Sequence, residues 1–202
     1  MTDHLDTLLR RELLDAVALS GSARPPVLDG GDVAYVVDDT AVGPLLLATR
    51  SDGVLLASSF APSDVEADAT LDRLARTVSA RILRRSTPAL DDVRRQLADY
   101  LAGRRRAFEL ALDPVLATGF QRQVLGRLAT SVGYGERISY GTLAAAIGRP
   151  SASRAVGAAL GANPLCVVLP CHRVVAASGA LTGYAGGLAA KRLLLDLEAS
   201  RA

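Results

Sequence analysis

Apolar residues change their spacing along this 202-residue chain, and each change predicts a different kind of structure. Near the start, Leu5, Leu8, Leu9 and Leu13 recur at helical spacing. The stretch SGSARPPVLDGGD that follows reads as a linker, so residues 1–30 stand apart as an N-terminal extension. The next runs, VAYVVDD and GPLLLATRSDGVLLASSF, are short and apolar, broken at Gly43-Pro44 and at Ser51-Asp52-Gly53. Asp-Gly between apolar runs is a hairpin signal, and the pattern predicts antiparallel strands over 33–37, 45–50 and 53–59. Helical spacing returns over Val65–Arg84 and again over Asp91–Leu101, with Gly103 closing the second helix. RRRAFELAL predicts one more short strand. Asp113-Pro114 then marks a boundary, dividing an α/β domain over 31–113 from a helix-rich domain over 114–202.

Within the second domain, GFQRQVLGRLATS, SYGTLAAAIG and SASRAVGAALGA all carry helical spacing. The last two are short and joined by the turn GRP, an arrangement that suits a helix-turn-helix. Ser151 stands after Pro150 as an expected N-cap. Val156, Ala159 and Leu160 form a stripe suited to a core. Ser151, Arg154, Ala155, Ala158 and Ala162 form a second stripe that is nearly all methyl-sized, a shape that allows close approach to a nucleic-acid groove. By pattern alone, two helices of an ordinary α-domain fit slightly better.

Composition narrows the classes. Hydrophobic residues make up 50% and charged residues 22%, as in an ordinary globular protein, and no apolar run has the length of a membrane span. Met1–Arg11 is charged throughout, unlike a signal peptide, so a cytoplasmic protein is expected. The net charge of +2 is compatible with nucleic acid without arguing for it. Two cysteines, Cys166 and Cys171, make no disulfide framework, and with only His4 and His172 beside them they argue against a four-ligand zinc site.

Candidate chemistry gathers at VVLPCHRVVAASG. Cys171 is a nucleophile only as thiolate, and His172 beside it is a base that acts directly or through one water. Glu198, in KRLLLDLEA, sits at the edge of an apolar face marked by Leu194 and Leu195, where a carboxylate needs a partner. A Cys–His–Glu relay would follow, with the glutamate fixing the imidazole tautomer and the relay lowering the thiol pKa. A packed cysteine, a turn-capping histidine and a solvated glutamate would read the same way locally. Cys166, between Leu165 and Val167, reads as a buried core thiol.

NPLCVVLPCHRVVAASGALTGYAGGLAAKRLLLDLEA strongly resembles the active-site segment of the methylated-DNA–protein-cysteine methyltransferases, the O6-alkylguanine-DNA alkyltransferases. The carriers are a Pro-Cys-His-Arg core after aliphatics and an Asn-Pro eight positions before the cysteine. The resemblance continues upstream through GFQRQVLGRLATSVGYGERISYGTLAAAIGRPSASRAVGAALGANP and, more weakly, into GPLLLATRSDGVLLASSF, covering 33–198 but not 1–30.

It implies an α/β (α+β) fold. The N-terminal domain would be RNase H-like, with a small antiparallel sheet plus helices. The C-terminal domain would be a mostly helical winged helix-turn-helix-type unit carrying the active site. It also implies DNA repair by irreversible, stoichiometric alkyl transfer from O6-alkylguanine, and from O4-alkylthymine, with no cofactor and no metal. Cys171 then matches the alkyl acceptor, His172 its water-linked base, Glu198 the carboxylate behind it, and Asn163 the link between recognition helix and active-site strand. Arg154 matches the arginine that fills the space left by a flipped nucleotide. Tyr140 matches the tyrosine that rotates it out, and Tyr184 the tyrosine lining the pocket. Ser151 and Ala155 join the DNA-facing set. The implied partner is double-stranded DNA, entered from the minor groove with little sequence preference by a monomer, with cooperation between neighbours on DNA left open. Two positions depart from the family: Cys166 stands where proline is expected, and Ala185 replaces a serine or bulkier residue. A helix-turn-helix regulator or damage-flagging protein without transfer, and a Cys–His hydrolase that turns over, are the rival readings.

Overall fold

A computed structural model describes residues 33–200; the helical spacing at Leu5–Leu13 and the extension over 1–30 lie outside them. Three hairpin-linked strands open the described chain: β1 (Val33–Asp38), β2 (Leu45–Arg50) and β3 (Leu55–Phe60). β1 pairs β2, and β2 pairs β3, both antiparallel. The helix expected over Val65–Arg84 ends early. α1 runs Asp64–Thr77, capped by Ser63, and the chain then forms β4 (Ile82–Arg84). β4 lies parallel to β1, so the sheet is mixed, in the order β3-β2-β1-β4, rather than purely antiparallel. The physical reason is the crossover: a helix between β3 and β4 carries the chain over the sheet and returns it in the direction of β1. This is the order of an RNase H-like sheet.

Thr87 caps α2 (Pro88–Leu101), which begins with proline in its first turn, three residues before the expected Asp91. Gly103, at φ 72°, closes it as expected. Residues 104–112 are not a strand. Only Leu112 bridges Leu55, and the buried Gln96 side chain takes the place of a strand neighbour for Glu109, accepting from its N–H at 2.8 Å and donating to its carbonyl at 3.2 Å. Phe108 meanwhile stacks on Tyr100. A Thr118–Gln121 capping box starts α3 (Gly119–Ser131). β5 (Ile138–Ser139) leads directly into α4 (Tyr140–Ala146), and α5 (Ser153–Gly161) follows across a turn at Gly148. Ser151 does not cap α5. The turn uses it, and Ala152 occupies the cap position without a side-chain bond. A 3₁₀ turn over Cys171–Arg173, β6 (Val174–Val175), parallel to β5, and α6 (Gly187–Ala199) complete the chain.

Val156, Ala159 and Leu160 are buried, while Arg154, Ala155 and Ala158 are exposed, as their two stripes predict. One core cluster joins β2, β3 and α2 to Leu165, Val167, Ala190 and Leu194, so the sheet and the segment around Cys171 share a core.

Candidate functional site

Asn163, buried directly after α5, organises the approach to Cys171. Its Oδ1 accepts from Leu165 N–H at 2.9 Å, and its Nδ2 donates both to the Leu169 carbonyl at 3.0 Å and to Cys171 Sγ at 3.1 Å. Its own carbonyl accepts from the Cys166 thiol at 3.3 Å. Between them the chain doubles back, Leu169 N–H reaching Leu165 O at 2.8 Å, and the reversal puts the buried Val167 at φ 70°. A β-branched residue in that region is strained by roughly 1–3 kcal/mol, which the surrounding core must overcome.

His172 is fully buried, and its Nε2 lies 2.6 Å from Glu198 Oε1. Glu198, on α6, is surrounded by donors: His172, Tyr100 OH, Arg173 Nε at 2.9 Å and Nη2 at 3.1 Å, and Gly135 N–H at 3.1 Å. Burial pushes its pKa up, but the bonds from His172 and Arg173 outweigh burial and hold it at about 2. Burial also keeps the His172 pKa below its usual value, against the pull of Glu198. At neutral pH the carboxylate is therefore ionised and the imidazole neutral. The proton lies on Nε2, pointing at Glu198, and Nδ1 carries the free lone pair. Nδ1 is buried and has no protein partner.

The Cys171 thiol is lowered from its usual value, as expected, but for another reason. The leading influence is the neighbouring Cys166 thiol, opposed by burial and helped by the bond from Asn163 and by the charge of Lys191. A neutral His172 turned toward Glu198 brings no charge to the sulfur. Cys166 is buried as expected, and the neighbouring Cys171 together with burial holds its own pKa well above the usual value. Lys191, the only lysine, is itself buried, donating to Val174 O at 2.7 Å and Thr182 O at 2.9 Å, 5.9 Å from the centre of the Tyr140 ring.

Tyr140, Arg154 and Tyr184 line one cleft of about 590 Å³ between α4, α5 and the 182–185 loop. Thr182 Oγ1 donates to Tyr140 OH at 3.0 Å. Tyr184 stands edge-on to His172 and to Phe60, with ring centres 6.4 and 5.4 Å away. Phe60 also packs on the backbone of Gly186, where a Cβ would come within 2.4 Å of its ring. The structure thus bonds Cys171 to Asn163 and, at the next residue, His172 to Glu198, with Tyr140, Arg154 and Tyr184 around the neighbouring cleft. Ser151 and Ala155 are exposed and do not line it. Sequence reading gave no role to Tyr100, Lys191 or Arg173, although Arg173 stands in the Pro-Cys-His-Arg core. Arg173 and Lys191 carried a signal, a charge inside an apolar run, but Tyr100 carried none. Among the described residues no group of three or more His, Cys, Asp or Glu could hold a metal, and no helix is long and apolar enough to cross a membrane.

Residues 119–200 match the family model of the 6-O-methylguanine DNA methyltransferase DNA-binding domain. The methylated-DNA–protein-cysteine methyltransferase of Mycobacterium bovis is 52% identical over 107 residues, which are 53% of this chain and 64% of that protein, short of two thirds of its length. That of Methanosarcina acetivorans is 49% identical over 52% of this chain and 67% of its own length. The crystal structure of Mycobacterium tuberculosis OGT in complex with DNA superposes with a TM-score of 0.67 at 39% identity, covering 84% of this chain and 94% of that one.

Proposed function

Given that the chain belongs to the methylated-DNA–protein-cysteine methyltransferase family, we propose that it repairs DNA by moving an alkyl group from guanine O6 to Cys171, once per molecule. The observation that carries this reading is the Cys171 sulfur, bonded by Asn163, next to a neutral His172 whose Nδ1 is free. His172 Nδ1 takes the thiol proton, through a water. The thiolate attacks the O-alkyl carbon, so an S–C bond forms as the C–O6 bond breaks. The electron pair leaves with guanine, which ends protonated. The thioether has no route back, and no cofactor enters the balance.

An alkylated base inside a duplex must leave the stack to reach a buried sulfur. In this reading Tyr140 helps turn the nucleotide out, Arg154 occupies the gap, and Tyr184 lines the pocket. The exposed, methyl-sized face of Ala155 and Ala158 beside Arg154 lies against the minor groove, with Ser151 at its edge. Ala185 has no polar side chain, so backbone N–H groups bond O6. O4-alkylthymine is a second substrate. The protein acts as a monomer on double-stranded DNA in the cytoplasm, with little sequence preference. Residues 31–113 form the RNase H-like unit, and 114–202 the DNA-binding and acceptor unit.

Intact-mass analysis after incubation with an O6-methylguanine duplex tests the proposal. One added methyl per chain, mapped to Cys171 and never exceeded, is expected. An unmodified chain, repeated turnover, or the adduct on Cys166 refutes it. Cys171→Ala should bind DNA and take up nothing.

A further inference from the structure

Tyr100 lies on α2, in the sheet-bearing half of the chain and upstream of the 119–200 segment that matches the DNA-binding family model. It is 1% exposed, and its hydroxyl donates to Glu198 Oε1, the same oxygen that faces His172 Nε2. The hydroxyl stands 3.5 Å from Nε2. Because Nε2 carries its own proton toward the ionised Glu198, the hydroxyl serves only the carboxylate. Any buried phenol needs a partner for its hydroxyl, and this one takes the oxygen that His172 uses. The ring itself is already held by Phe108 at 4.9 Å and Tyr134 at 6.0 Å between centres.

We infer that Tyr100 is a positioning residue of the relay: by donating to Glu198 Oε1 it weakens that oxygen as an acceptor and so keeps His172 neutral, with Nδ1 free to take a proton. The inference rests on the proposed role of His172 as the base. Its physical content is a competition for one oxygen, to which Arg173 Nη2 also donates at 3.1 Å, while the charges of Arg173 and Lys191 disfavour an imidazolium in the same direction. Each donor on Oε1 spreads the carboxylate charge, and a carboxylate with fewer donors stabilises an imidazolium more strongly. The sheet-bearing half of the chain thereby sets the protonation state of a residue in the other half.

The test is the titration of His172 in the full chain, followed by NMR at its ring carbons. Only His4 shares that spectrum, and His4→Gln assigns it. Tyr100→Phe keeps the ring and removes one oxygen, and should raise the His172 midpoint by about one unit. The acid limb of the reaction with free O6-benzylguanine should rise by the same amount, with the rate on the alkaline side retained. Fluorotyrosine at position 100, a stronger donor that keeps every contact, should lower the midpoint and covers the case in which Tyr100→Phe folds poorly. Phe108→Leu disturbs the same ring but not the hydroxyl, and should leave the midpoint in place. A midpoint unmoved by both Tyr100 changes, or moved equally by Phe108→Leu, overturns the inference. Absence of alkyl transfer in the unmodified protein would instead count against the proposed function, since the titration needs no transfer.

Discussion

Glu198→Gln removes one charge from the middle of the site and nearly nothing else, and its cost follows from the surroundings of that charge. The carboxylate pKa falls from its usual 4.5 to about 2 in the fold. At about 1.4 kcal/mol per pKa unit, the ionised form is worth about 3 kcal/mol to the folded state. A second route gives a similar figure. The buried Arg173 would lose the carboxylate that carries its opposite charge and keep neutral partners, the glutamine oxygen, the Val132 carbonyl at 2.9 Å and the Tyr134 ring. Stripping one partner from a buried ion pair costs about 3–5 kcal/mol. Both routes describe the same charge, so they are not added. For a chain of this size about 3 kcal/mol lowers Tm by roughly 6–12 °C. The pH dependence has a definite sign. A depressed carboxylate stabilises fully above its unfolded value of 4.5 and loses that contribution as pH falls toward about 2. Glutamine cannot titrate, so the gap between the two proteins should narrow steadily between pH 6 and pH 3. Urea unfolding of both proteins at several pH values measures the gap, and shared acid effects cancel in the difference. No gap at pH 6, or a gap unchanged at pH 3, would refute the reasoning. The Cys171 pKa should move little in this variant, because its leading influences come from Cys166, Asn163 and Lys191.

Cys166→Ala should raise the Cys171 pKa, read as an alkaline displacement of iodoacetamide labelling, and an unchanged profile would show that the neighbouring thiol is inert. Arg154→Ala should slow repair in duplex DNA about tenfold, the loss of roughly one hydrogen bond, while sparing free O6-benzylguanine, which needs no flipping. Equal loss on both substrates would make Arg154 structural. Gly186→Ala drives a methyl into the Phe60 ring and should destabilise by about 1–3 kcal/mol, with Phe60→Ala in the same chain costing less than the sum of the two single changes in a melting comparison. DNA binding should weaken as salt rises, since phosphate contacts release counterions, and a salt-independent affinity would exclude a groove-bound complex.

What was legible in the sequence is what local rules govern. The hairpin strands followed from Asp52-Gly53 between apolar runs, the helix over Gly119–Ser131 from its spacing, and the buried and exposed stripes of α5 from helical period. The Pro-Cys-His-Arg core stood out because its residues are adjacent, and Asn163 was named through the family resemblance. What failed locally failed because distant partners decided it. Ile82–Arg84 continues a helical pattern, yet it pairs with β1 because the crossover places it there. Residues 104–112 look like a strand, but Gln96 takes up the backbone groups of Glu109. At the site, sequence alone determined that a thiol, an imidazole and a carboxylate were available. The tertiary structure decided how they behave. It placed Cys166 against Cys171, buried Lys191 nearby, turned His172 toward Glu198, and brought Tyr100 from 98 residues away to the same oxygen. A pKa depends on burial and on the donors within a few ångströms, and neither quantity exists until the chain has folded.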